Sequence, residues 1–275
     1  MFRTRLISGI FLVVIALAVI IAGGPVLGCA LLFCAVVGMQ ELYRAAGVVS
    51  AGSGASGVFN LLNGAAFLGI AVYYVLLMTR QNTYLPMCVI LSLMLILAVY
   101  VLTFPRFHAD QAMAAFFGLV YVGVMLGFIY LTRMGENGRI IVWLIFLSSW
   151  GADTCAYVTG MTLGKHKMAP VLSPKKSVEG AVGGVAGAAL LGVIYAFAVN
   201  GGNSVPQFAL ICAAGAVISM IGDLAASAIK RDKDIKDYGT LIPGHGGILD
   251  RFDSVIFTAP VIYFLHLLLV TAPVR

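Results

Sequence analysis

The sequence predicts an all-α membrane protein, a polytopic transmembrane helical bundle of about nine spans. Apolar side chains make up 61% of its 275 residues and charged ones 10%, against about 25% charged in a soluble domain. Mean hydropathy is +1.03. The apolar residues form long continuous runs rather than the alternation of a barrel strand. Crossing about 30 Å of hydrocarbon takes about 20 helical residues. Because lipid offers the backbone no hydrogen-bond partners, such runs must be helices.

The first run, 6–22, follows Arg3 and Arg5 and contains the triplet Ala16-Leu17-Ala18, so the beginning imitates a signal peptide. The apolar run continues past that triplet, and an uncleaved first span is expected. Runs at 24–40, 57–79, 84–104 and 112–131 follow, with a Gly/Ser-rich connection at 51–57. Four more lie at 138–162, 178–199, 205–229 and 253–272. Gly180, Gly183, Gly184 and Gly187 make overlapping GxxxG patterns, which let helix backbones approach closely. By chemistry the chain divides into a scaffold region, 1–135, and a region 136–275 that holds most of the polar groups needing explanation, within one integral domain.

With the N-terminus inside, thirteen basic residues fall on the cytoplasmic side and four (Arg80, Arg133, Arg139, Arg275) on the other, a positive-inside bias. The net charge of +6 is thereby concentrated on one face, where anionic headgroups or nucleotide phosphates would meet it. The basic loops lack interleaved stacking aromatics, so nucleic acid is not an expected partner. Cys29, Cys34, Cys88, Cys155 and Cys212 all lie in apolar runs without a zinc-site spacing and read as small buried hydrophobes.

Two carboxylates stand within apolar spans, Asp153 and Asp223. An ionised carboxylate there costs about 2.5 kcal/mol or more and needs a cation, a donor network or a water-filled cavity. A structural ion pair or a protonated, hydrogen-bonded carboxyl is the alternative to a functional role. If the helix continues, Asp223, Ser227 and Lys230 share one face at i, i+4 and i+7. Asp250 and Asp253, three apart, share another. Hard cations such as Mg²⁺ take one or two carboxylates plus water and substrate phosphate, and Asp223 with Asp250 or Asp253 meets that description. Lys230, Arg231, Lys236 and Arg251 lie among these acids, as expected where phosphates are gripped. Between them, Pro243, Gly244, Gly246 and Gly247 demand a tight turn whose N–H groups can face a ligand, with His245 inside it. Upstream, Ser173, Lys175 and Lys176 gather before a helix start, a ready place for phosphate; for Lys165, His166 and Lys167 a positive-inside anchor is an equal reading.

Taken together, Ser227, Lys230, Arg231, Lys236, Asp237, Gly239, Ile242, Pro243, His245, Gly246, Gly247, Asp250, Arg251 and Asp253 resemble, in register, the signature of the phosphatidate cytidylyltransferases, or CDP-diglyceride synthases. Gly151 to Asp153, Ser173 to Gly180 and Gly222 to Leu224 also look like that family, whereas Ala226 stands where many relatives carry Glu. The resemblance covers the second half well and the first half only as apolar spans. It implies transfer of the cytidylyl group of CTP to phosphatidic acid with Mg²⁺ as cofactor, giving CDP-diacylglycerol and pyrophosphate. It implies Asp223 and Asp250 as metal ligands supported by Asp253. Lys230, Arg231, His245 and Arg251 would work on phosphates beside Asp250; Ser173, Lys175 and Lys176 would hold the triphosphate. Asp153, Ser227 and Lys236 would line the substrate cleft. CTP, phosphatidic acid and membrane lipids are the expected partners, with a homo-oligomer left open, and the expected place is a bacterial-type inner membrane with the active-site loops cytoplasmic. A cation or proton transporter, or a related cytidylyltransferase or kinase acting on another lipid phosphate, is the competing reading.

Overall fold

A computed structural model describes residues 2–49, 60–242 and 246–269; the connection at 51–57 and His245 lie outside them. Helix α1 (Phe2–Ala22) is uninterrupted through the triplet at Ala16 to Ala18 and is followed by α2 (Gly24–Ala45), which starts on Pro25. Then come α3 (Leu61–Met78), α4 (Leu85–Leu102), α5 (Ala109–Met134) and α6 (Gly138–Leu163). A short antiparallel hairpin, β1 (Lys167–Ala169) with β2 (Ser173–Ser177), precedes α7 (Val178–Asn200), α8 (Val205–Asp232) and α9 (Leu249–Leu269). Among the described residues eight helices are long and apolar enough to cross a membrane, and α1 adds a shorter apolar stretch, Leu12–Ala22. The polytopic helical bundle expected from hydropathy is what forms. The small hairpin is not announced by the runs of apolar residues.

Two compact units are present. The first comprises Met1–Tyr130 and Lys233–Arg251, the second Leu131–Asp232 and Phe252–Arg275. In the first, α2 packs on α3 and on the middle of α5, and α3 packs on α4. Leu27, Leu31, Met39, Leu62, Ile70 and Tyr74 form its core. The middle of α5 widens into a π turn at Leu119–Val124, and the Tyr74 hydroxyl donates to the Gly123 carbonyl there (3.2 Å). A turn that loosens the helical ladder frees a carbonyl, and a neighbouring donor takes it up. Helix α3 starts at Asn60, whose side chain accepts from Leu62 and Asn63 N–H at 2.9 Å while Asn63 reciprocates, a capping box. Along α4, Met87, Ile90, Leu91 and Met94 are exposed. Such a run of bare apolar surface is expected of a face solvated by lipid.

In the second unit α7 is the hub and packs along both α6 and α8. The glycine pattern makes this possible. A Cβ at Gly184 would lie 3.0 Å from Ala156 Cβ and 3.1 Å from the Ala152 carbonyl, and one at Gly180 would lie 2.9 Å from the Ala156 carbonyl. Small residues thus bring α7 against α6 backbone to backbone. Helix α8 runs unbroken to Asp232, so Asp223, Ser227 and Lys230 do share one helical face. Gly222 on α8 takes Phe257 of α9 at a distance that admits no side chain. Among the cysteines, Cys88 and Cys212 are buried as expected, but Cys29 is exposed on an apolar helix, where it meets the same surroundings as its neighbouring apolar side chains. All five are free thiols.

Because Ala156 and the Ala152 carbonyl already crowd a Cβ at Gly184, Gly184→Leu is expected to destabilise the α6–α7 contact by about 1–3 kcal/mol. A lower thermal transition of the detergent-purified variant is the check, and an unchanged transition would contradict this packing.

Candidate active site

In the second unit, a cavity of about 450 Å³ is lined by Asp153, Tyr157, Met161, Met168, Lys175, Lys176, Ser177, Gly180, Met220 and Asp223, among others. Each polar group reaches it for a local reason. Helix α6 opens into a π turn at Leu147–Gly151, and Asp153 follows within its next turn. The Ser148 and Ser149 hydroxyls bond back to the Leu144 and Ile145 carbonyls at 2.5 and 2.9 Å, which satisfies them inside the apolar span. The hairpin carries Lys175 and Lys176 on β2, and Ser177 ends the strand and caps α7 by accepting the Gly180 N–H (3.1 Å). The crowding of Gly160 and Gly164 against the Ser177 hydroxyl brings the end of α6 onto the same cap. Glu179 accepts from the Lys165 and His166 N–H groups and contacts the His166 ring, closing the base of the hairpin.

Asp223 is the centre of the polar network. Its Oδ2 holds the Lys176 ammonium in an ion pair, and its Oδ1 accepts from the Ser227 hydroxyl at 3.4 Å. The structural ion pair that the sequence allowed is therefore formed, and its cation comes from the lysine pair expected to hold phosphate. Both side chains keep about a quarter of their surface, 26% for Lys176 and 27% for Asp223, and face the cavity rather than a dry core. Asp153 and Asp253 both interact electrostatically with Asp223, Lys176 also acts on Asp153, and Lys230 acts on Asp253. Three acids and two ammonium groups thus share one field. Asp253 is 9% exposed, and its Oδ1 accepts the Ser254 N–H (2.8 Å). Ser173 is partly buried at the start of β2, and Arg231 is exposed at the end of α8.

Among the described residues no three His, Cys, Asp or Glu side chains are arranged to enclose a metal ion. A hard divalent cation that keeps several waters needs only one or two carboxylates and draws its remaining ligands from substrate phosphate. The all-oxygen acids around Asp223 fit that manner of binding.

In the first unit lie the remaining signature residues. Lys236 and Arg251 are exposed, and Asp250 is buried. Asp250 Oδ2 accepts two backbone N–H bonds, from Tyr238 at 2.8 Å and Gly247 at 3.0 Å. The turn expected around His245 is bracketed by the Ile242 N–H bonded to the Gly246 carbonyl (2.9 Å), and Gly246 has φ +84°, which glycine adopts without strain. One residue escaped the sequence reading. Glu41 of α2 is 4% exposed, and its carboxylate accepts the Ile248 N–H (3.1 Å) and the Leu249 N–H (2.8 Å) at the start of α9. Glu41 stands just past the apolar run 24–40, so the cost of an acid within a span, which singles out Asp153 and Asp223, marks it only once the fold buries it.

Comparison with known proteins decides the family. The Cytidylyltransferase family matches residues 3–269. The chain belongs to that family. A phosphatidate cytidylyltransferase of Staphylococcus haemolyticus is 30% identical over 272 residues, 96% of this chain and 98% of that protein. Proteins of the same name from Bacillus subtilis (36% over 175 residues, 63% of this chain and 65% of the relative) and Synechocystis (44% over 133 residues, 48% and 45%) are more similar over shorter stretches.

A Cβ at Gly247 would fall 2.4 Å from both Glu41 carboxylate oxygens. Gly247→Ala is therefore expected to break the bonds to Ile248 and Leu249 and to cost about 1–3 kcal/mol through buried groups left unpaired. Thermal unfolding in detergent measures it; wild-type stability would show that the carboxylate moves aside freely.

Proposed function

We propose that the chain transfers the cytidylyl group of CTP to phosphatidic acid, releasing CDP-diacylglycerol and pyrophosphate, and that the cavity around Asp223 handles the phosphates. The observation that carries this reading is the Lys176–Asp223 pair in a cavity that also exposes Lys175 and Asp153, in a chain whose relatives bear the name phosphatidate cytidylyltransferase. An oxygen of the lipid phosphate attacks the α-phosphorus of CTP in line as the bond from that phosphorus to the β-phosphate oxygen breaks. The attacking phosphate is already ionised, so the protein's task is positioning and charge neutralisation rather than proton abstraction.

Lys175 and Lys176, with Ser173 beside them on β2, hold the triphosphate, and the helix α7 N-terminus adds its partial positive charge. On substrate arrival the Lys176 ammonium exchanges part of its pairing with Asp223 for phosphate oxygen, which leaves the acid to draw a cation. Asp223, with Asp153 and Asp253 acting on it, would hold Mg²⁺, which when bound neutralises phosphate charge. Ser227 keeps Asp223 oriented, and Lys230 with Arg231 offers further phosphate contacts. Asp250, Arg251, Lys236 and His245 of the signature segment are assigned to the same reaction. Tyr157, Met161, Met168 and Met220 give the cavity an apolar side suited to a lipid substrate. The excess of basic residues on one side favours an inner-membrane enzyme whose charged loops face the cytoplasm, where CTP is found.

Purified protein in mixed micelles with phosphatidic acid and labelled CTP is expected to form a lipid-linked nucleotide, and other lipid phosphates should serve poorly. Lys176→Met and Asp223→Asn should each lower kcat/KM by about a hundredfold or more while remaining folded. Chelation should stop turnover and Mg²⁺ should restore it. Absence of any lipid-linked nucleotide from the wild type would overturn the assignment, and near-normal activity of both variants would move the site elsewhere.

A further inference from the structure

We infer that Glu41, on a helix of the apolar first half, is a positioning residue that sets the signature loop and the Asp250 carboxylate for the reaction. This rests on the proposed part of Asp250 in cytidylyl transfer. A helix start leaves its first N–H groups unpaired, and a side chain usually caps them from within the same segment. For α9 the acceptor comes from more than two hundred residues away: Glu41 Oε1 takes the Ile248 N–H and Oε2 the Leu249 N–H. An ionised acceptor strengthens such bonds and favours the positive end of the helix dipole.

The loop is shaped around this carboxylate. A Cβ at Gly239 or at Gly247 would run into Glu41 Oε1, so the loop passes so close to the acid that any side chain larger than glycine's would displace the carboxylate. Asp250, the next residue after Leu249, then turns its Oδ2 back onto the Tyr238 and Gly247 N–H groups. The two acids therefore divide the work, with Glu41 holding the backbone from outside and Asp250 closing the loop from within. Moving the first shifts the frame on which the second is mounted.

In Glu41→Gln one oxygen is replaced by an NH₂ that faces a backbone donor, so one of the two bonds is lost with little change of shape. Hydrogen–deuterium exchange and steady-state kinetics are measured on the full-length variant in detergent. Amides of 246–249 should exchange about tenfold faster or more, while those of α3 are unchanged. kcat should fall about ten- to a hundredfold, the range typical when a supporting hydrogen bond behind a site residue is removed, with KM for CTP within about twofold. If that variant does not fold, Gly239→Ala, which crowds the carboxylate without altering its chemistry, should give the same local exchange and kinetic pattern. Unchanged exchange at 246–249, or wild-type kcat, would overturn the role of Glu41. A wild-type protein inactive with CTP would instead remove the cytidylyl-transfer reading, and the exchange result would still decide whether Glu41 positions the loop.

Discussion

The ion pair between Lys176 and Asp223 is the contact on which the cavity of the second unit, and the chemistry proposed for it, depends. A carboxylate on a membrane-spanning helix is tolerated only with a counter-charge or water beside it. Here the counter-charge arrives from outside the spans, on strand β2, so the cost of Asp223 is offset by tying the hairpin down over α8. The residue after Lys176 caps α7, and the glycines at the start of α7 let α6 press against that cap. A small set of contacts therefore fixes where the ammonium, the acids and the apolar wall of the cavity stand. A pair sealed in a dry core would be stable but inert. The proposed reaction asks instead for a pair left a quarter open to a cavity, as this one is, so that its ammonium can turn to phosphate.

The first unit applies the same physics to a loop. Carboxylates in low-dielectric surroundings are held by backbone N–H groups, two on Glu41 and two on Asp250. Acids and glycines are matched here, since a Cβ at Gly239 or Gly247 would have to push the Glu41 carboxylate off its backbone donors. Helix α2 thereby has a second task besides packing against α3.

Much of this was legible in the sequence because a bilayer imposes simple rules. Continuous apolar runs found the spans, and the expense of a buried charge pointed to Asp153 and Asp223. Helical spacing put Ser227 beside Asp223, as the bond between them shows. The hairpin was hidden because three- and five-residue strands carry too little periodicity to stand out. The π turns in α5 and α6 were hidden as well, since hydropathy is blind to a ladder shifted by one residue. Glu41 was passed over because a single acid at the end of a span looks like an interfacial charge until the fold brings two backbone donors to it. The packing of Lys233–Arg251 within the first unit depends on tertiary contacts that no local pattern encodes.

Structure determination with a non-hydrolysable CTP analogue bound tests the central claim most directly. Triphosphate oxygens against the Lys175 and Lys176 ammonium groups, with Lys176 drawn partly off Asp223, are the expected result. A nucleotide seated elsewhere, with the Lys176–Asp223 pair undisturbed, would contradict it.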